Sequence, residues 1–179
     1  RNARGRGIEV YNVTDGGWEN IQTISVLDNP SYICVDRSGK FLYAVHGDMH
    51  HVSSYKFLPD GRLKHLNIVD SQGKNPVYIT PNITNEFLFV ASLQGGAVAT
   101  LKIQEDGSLS EAVSVEYFEG ITPQGVSHAH QCELDKTGKY LLVPTQGRHI
   151  GYERVYVLAI DNTTGKLTRC SHVTARSYA

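Results

Sequence analysis

Asn29-Pro30-Ser31-Tyr32 opens a stretch that runs through Phe41-Leu42-Tyr43 and Asp60-Gly61 to Leu63. The same landmarks return at a constant offset of 46 residues as Asn75-Pro76, Phe87-Leu88-Phe89, Asp106-Gly107 and Leu109. A third copy follows at a longer offset. His128-Ala129 stands in place of Asn-Pro, Tyr140-Leu141-Leu142 in place of Phe-Leu-Tyr, and residues 155–160 in place of residues 98–103, before Gly165-Lys166-Leu167 closes the unit. The extra length falls in two loops, around residues 120–125 and 149–153. Upstream, residues 8–13 with Asp15-Gly16 match only the second half of a unit. A period in the forties is the spacing of propeller blades.

Each unit reads as four antiparallel strands. Tyr32-Ile33-Cys34-Val35 is a short apolar run stopped by Asp36-Arg37-Ser38-Gly39, a turn signal. Phe41 to Val45 is a second apolar run, and residues 52–57 alternate as a half-exposed strand does. Pro59-Asp60-Gly61 then turns the chain into a polar strand, residues 62–67. Apolar inner strands and a polar outer one are what a blade packed between neighbours requires. A β-sandwich would also show short strands and turns, but would not repeat residue for residue. The expected fold is therefore all-β, a β-propeller of four-stranded antiparallel blades. Its expected parts are a half blade in residues 1–28, blades in residues 29–70, 75–118 and 128–170, and a tail in residues 171–179. About three and a half blades fall short of the roughly 4–8 that close a ring. The chain thus reads as an incomplete arc of a longer product, its open faces to be covered by the missing blades or by self-association.

Composition narrows the function classes. With 40% apolar and 20% charged residues and a net charge of −1, nothing directs the chain to nucleic acid or to an anionic membrane. No apolar stretch approaches the roughly 20 residues of a membrane helix, and no apolar run follows the basic residues 1–7. Cys34, Cys132 and Cys170 are an odd number without paired spacing, which reads as reduced packing residues and a cytoplasmic setting. Sequons at Asn12, Asn82 and Asn162 carry little weight against that.

Two stretches carry a family resemblance: Asn29-Pro30-Ser31-Tyr32 with residues 39–45, and Asp106-Gly107-Ser108-Leu109. Ser127-His128-Ala129-His130-Gln131 with residues 138–144 behind it extends the match and is its more specific part. The chain resembles the lactonase family of seven-bladed propellers, which includes bacterial 6-phosphogluconolactonases and fungal carboxymuconate-lactonizing enzymes. The resemblance implies a histidine acid–base at the position of His130, and no metal or other cofactor. It also implies an arginine and a glutamate from Gly-Pro-Arg-His and Asn-Glu motifs that this sequence does not contain. Arg176 falls near the arginine's place, but Thr174-Ala175-Arg176-Ser177 does not match the motif, so the role is not transferred.

Propeller topology places the histidines independently of the family. The link into each innermost strand and the link between second and third strands emerge on one face. Asn29, Asn75, His128 and His130 belong to the first kind, and residues 46–51, 94–96 and 146–149 to the second, so six of the eight histidines share that face. An imidazole titrates near neutrality and can take a proton from water or return one to a leaving alkoxide, which makes His128 and His130 the candidate catalytic pair. Two apart on a strand, they should share a side of it. Arg148 offers a forked, permanently charged donor for a phosphate or carboxylate. His46, Gln94 and Gln146 complete the candidate substrate-binding set. Against these stand plainer readings: His50, His51 and His149 as solvated turn residues, and Arg148 as a surface arginine. His46 with the His128/His130 pair also has the makings of a three-imidazole metal site. The expected function is that of a fragment of a lactone-processing enzyme hydrolysing an anionic sugar lactone. The alternatives are carboxymuconate cycloisomerisation and a non-catalytic binding platform.

Overall fold

The computed structural model describes residues 7–175, and every regular element among them is a strand. Ile8–Thr14 (β1) and Gly17–Ile24 (β2) form an antiparallel pair. Pro30–Val35 (β3), Phe41–His46 (β4), His51–Phe57 (β5) and Leu63–Asp70 (β6) form a four-stranded sheet in that order. Pro76–Pro81 (β7), Phe87–Ser92 (β8), Ala97–Ile103 (β9) and Leu109–Tyr117 (β10) repeat the arrangement. The third sheet departs from it. Its innermost strand is split into His128–Ala129 (β11) and Glu133–Leu134 (β12), both paired with Tyr140–Gln146 (β13), beside which lie Arg154–Ile160 (β14) and Leu167–Thr174 (β15). The outer strand runs on to Thr174, so the segment expected to be tail from Ser171 is still paired in the sheet.

Strand alternation explains how the sheets stack. In β8 every residue of Phe-Leu-Phe-Val-Ala-Ser is buried, because successive side chains point to opposite faces and both faces are covered. Phe87, Phe89 and Ala91 join one core with Phe118 of the following link and Leu141, Val143, Tyr156 and Leu158 of the third sheet. Leu88 and Val90 join another with Tyr43, Val45 and Val52 of the first sheet. Leu42, Ala44 and Tyr55 pack on Ile24, Ile8 and Val10 of the two-stranded pair. There is one core at each seam between sheets, and the chain order of the sheets is their order in space. This is the radial stacking of propeller blades.

The seams are also hydrogen-bonded at the outer strands. The Gln22 carboxamide donates to the Leu63 carbonyl at 2.8 Å and accepts from its amide at 2.7 Å. Asn67 does the same to Leu109, at 2.8 and 3.0 Å. At the third seam Ser114 retains only the acceptance from the Leu167 amide. At the turns between first and second strands, Asp36, Asn82 and Asp135 each accept two backbone amides at the start of the following strand. Asn82 is fully buried and its carboxamide also contacts Thr84 and Asn162, so the sequon there is a packing element. The three cysteines are free thiols. Among the described residues no helix is long and apolar enough to cross a membrane.

Candidate functional site

Because each sheet is antiparallel, the start of its first strand, the link between its second and third strands and the end of its fourth strand lie at one end. Backbone geometry at that end is unusual. Asn29, Asp48, Asn75, Arg148 and His149 all have positive φ, from 45° to 69°. Asparagine and aspartate visit this region readily, but arginine and histidine do so at a cost. The loops of successive blades are tied together here. Asn75 accepts from the Asp48 amide at 2.9 Å, and one blade later the His128 ring takes the corresponding place by reaching the Leu93 carbonyl at 2.8 Å.

That contact fixes the His128 tautomer. A carbonyl only accepts, so Nδ1 carries the proton, and in the neutral ring Nε2 is left with its lone pair. His128 is 8% exposed and wedged against the second blade. His130 differs. It is exposed, and it sits where the innermost strand breaks: its amide still reaches the Pro144 carbonyl at 3.2 Å, but the register advances by one residue before Glu133. All three innermost strands carry such an irregularity near their start, between Pro30 and Tyr32 and between Pro76 and Tyr78 in the others. A bulge re-aims the side chains around it. The two histidines expected to share a side of the strand therefore have different environments, one a buried brace and the other an exposed ring.

Gln146 is the cross-strand partner of His128, and its Oε1 accepts from Arg148 Nε at 2.9 Å. Arg148 and His149 are the two central residues of a tight turn closed by the Ile150 amide on the Gly147 carbonyl at 3.0 Å, the primed turn that normally demands glycine or asparagine. Both are exposed. Gln94, also exposed, follows directly on Leu93, whose carbonyl holds His128. Thus His128, Gln146, Arg148 and Gln94 are linked at one rim, and His130 follows two residues along the same strand, its amide opposite Pro144. His46 does not join them through any contact of its ring. It is buried at the end of β4, with Nδ1 donating to the Asp28 carbonyl at 2.8 Å and Nε2 accepting from the Ser53 hydroxyl at 2.7 Å. Burial, outweighing the Asp28 carbonyl, lowers its pKa and keeps the ring neutral near pH 7. With both nitrogens engaged it offers nothing to a ligand or to a third position in a metal site. Among the described residues no three His, Cys, Asp or Glu side chains cluster as metal ligands would. Arg176 lies outside the described residues. A hollow of about 820 Å³, lined by residues such as Phe41, Lys102 and Asp106, is at the opposite end of the sheets.

Sequence reasoning passed over Ser127. It is fully buried beside His128, donates to the Glu119 carbonyl at 2.6 Å and accepts from the Tyr152 amide at 2.8 Å. The signal available was its place at the head of the Ser-His-Ala-His-Gln stretch.

Comparison with known proteins agrees with this architecture. The family model described as lactonase, 7-bladed β-propeller, matches residues 1–178. The 6-phosphogluconolactonase of Bacillus subtilis is 27% identical over 142 residues, which cover 76% of this chain and 40% of that protein. A probable 6-phosphogluconolactonase of Arthroderma benhamiae is 27% identical over 139 residues, 74% of this chain and 34% of its own. Among solved structures, a Bacteroides fragilis protein provisionally assigned as a 6-phosphogluconolactonase superposes with a TM-score of 0.80 at 25% identity, covering 98% of this chain and 52% of that one. The chain spans about half the length of these relatives or less. On the family match and the blade architecture together, the chain belongs to the lactonase family of seven-bladed β-propellers.

Proposed function

We propose that the protein carrying this chain hydrolyses an anionic sugar lactone of the 6-phosphogluconolactone kind. The observation that carries this reading is an exposed imidazole, His130, at a break in an innermost strand whose partner strand ends in Gln146, the residue that holds Arg148. In this reading His130 takes a proton from water as the oxygen attacks the ring carbonyl. The tetrahedral adduct then collapses, the ring C–O bond breaks, and the imidazolium returns the proton to the leaving alkoxide, giving the open-chain acid. Arg148, with Nε turned to Gln146, has its terminal nitrogens for the phosphate or carboxylate end of the substrate. Gln94 and Gln146 offer amide groups to sugar hydroxyls. His128 holds the start of the strand against Leu93 and so sets where His130 stands. His46 supports the neighbouring loop from within. The substrate is the one partner this reading needs, and free thiols support a cytoplasmic setting. Exposed Ile33 and Val35 on β3 support further blades against that face in the complete protein.

The test is hydrolysis of 6-phosphogluconolactone by the complete protein, corrected for spontaneous ring opening. His130→Ala should lower kcat by roughly 10²–10⁴-fold with an unchanged melting temperature. Arg148→Ala should mainly raise KM for the phosphorylated lactone. Equal turnover in wild type and His130→Ala removes the acid–base assignment.

A further inference from the structure

The third blade differs from the other two in its insertions, and these form one body. The link into its innermost strand occupies residues 118–127, where the preceding link occupies residues 71–75. The link between its second and third strands occupies residues 147–153, where the others occupy residues 47–50 and 93–96. The first of these loops is closed on itself by the Glu119–Val126 bridge, and the two loops are zipped together by paired backbone: Gly120 bridges Gly151, and the Ile121 amide donates to the Ile150 carbonyl at 2.9 Å. Glycines from both loops interlock without side chains. A Cβ on Gly125 would stand 2.2 Å from the Ile150 carbonyl oxygen, and one on Gly151 would stand 2.2 Å from that of Val126. At the root of this body the buried Ser127 hydroxyl bonds to both loops at once, to Glu119 in the first and to Tyr152 in the second. At its tip is the turn of positive-φ residues that holds Arg148.

We propose that Ser127 is a positioning residue that clasps the two inserted loops into a single wall, and so fixes the Arg148 turn relative to the strand carrying His130. The physical reason is economy of partners. Remove the hydroxyl, and a carbonyl and an amide lose part-buried hydrogen bonds at the point where the loops leave the blade, which favours local opening. A wall held at its root keeps an anion-binding guanidinium in register with an acid–base group, and positioning of this kind is what an oriented reaction depends on. The consequence for catalysis rests on the lactone-hydrolase reading above; the clasp itself does not.

The experiment is amide hydrogen exchange on the complete protein, with Ser127→Ala and Gly125→Ala beside wild type, followed by kinetics on the same samples. Gly125→Ala forces the loops apart while leaving Ser127 in place, so it controls for a purely local effect of the serine. Both variants should speed exchange at Ile121 and at Gly151 by about tenfold or more, leaving β8 and β9 unchanged. With 6-phosphogluconolactone, KM should rise about tenfold and kcat change less than about threefold, as loss of binding without loss of chemistry does. Faster exchange confined to residues 118–127 in Ser127→Ala would overturn the clasp. Loosening of both loops with KM unchanged would overturn its role in placing Arg148. Should His130→Ala and Arg148→Ala leave lactone hydrolysis untouched, the functional reading fails, and the exchange data still decide whether the loops move as one.

Discussion

Asp36 and Asp135 occupy equivalent turns, and each carboxylate replaces missing strand partners by collecting amides and a hydroxyl. At Asp36 burial pushes the pKa up, but the Ser38 hydroxyl, the Phe41 amide, the Asn85 carboxamide and the Ser38 amide outweigh it, so the net shift is downward. At Asp135 the Thr137 hydroxyl leads, joined by the amides of Tyr140, Thr137 and Lys139 against the opposing effect of burial, and the pKa falls to about 2. Since the folded values lie below the unfolded ones, the unfolded chain binds more protons between them. The stabilisation is complete above about pH 4 and is lost as pH falls through about 2. Urea titrations across that window should show stability falling with pH. Asp135→Asn should flatten the slope, because an asparagine accepts the same amides without titrating, as Asn82 already does in the second blade. An unchanged slope would mean that Asp135 is ordinary in the folded state. At this scale the sequence was a good guide to turns, since Asp and Asn bond their own backbone two residues on wherever they sit. It was a poor guide to His46, whose neutrality comes from burial and whose ring is engaged by a carbonyl 18 residues away and a serine on the next strand.

At the scale of the element, the strands were legible because a blade covered on both sides forces continuous apolar runs such as Phe87 to Ala91 on its inner positions, and the turn residues recur with them. The break in the third innermost strand was not legible. A bulge is set by which carbonyls and amides meet across two strands, and neither His130 nor Gln131 signals it in composition. The reach of β15 to Thr174 was missed for a related reason: Ser171 to Thr174 are polar but for Val173, and only their pairing with residues 154–157 makes them strand. The outer-strand clasps were equally hidden, since Asn67 looks like any exposed polar residue until its carboxamide meets both backbone groups of Leu109. Asn67→Ala should destabilise by about 1–3 kcal/mol, since both bonds to Leu109 and the one accepted from the Ser54 hydroxyl are lost and two backbone groups are left bare. Asn67→Asp should be at least as damaging, because a carboxylate has no donor for the Leu109 carbonyl. Ser114→Ala, which removes one bond, should cost less. Chemical denaturation of the three variants checks the order, and equal losses at Asn67 and Ser114 would show that the additional hydrogen bonds contribute nothing.

Across the whole molecule, the cores at the seams make each blade answerable mainly to its neighbours, and this yields a prediction about cooperativity. In β8, Leu88 and Phe89 are adjacent in sequence and both fully buried, yet they belong to different cores. Leu88 packs at the seam with the first sheet and Phe89 at the seam with the third. Truncating either should cost about 2–5 kcal/mol, the usual range for a large buried apolar side chain. The costs should fall in different places. In arrays whose units contact only their neighbours, stability is close to a sum of unit and interface contributions, so damage at one interface spreads unevenly. For residues 1–179, exchange of backbone amides under native conditions should show Leu88→Ala weakening protection in β4, β5, β8 and β9 while β13 and β14 hold. Phe89→Ala should weaken β8, β9, β13 and β14 while β4 and β5 hold. Strands β8 and β9, covered on both faces, should remain the slowest to exchange in wild type, and the β1–β2 pair, where Val13 and Trp18 are 66% and 74% exposed, the fastest. Because Trp18 is the single tryptophan and already faces water, its emission reports little of what happens in the blades, so exchange is the measurement to use. Should both variants lower protection equally in every sheet, the arc would be one cooperative unit, and the picture of separable seams would be wrong.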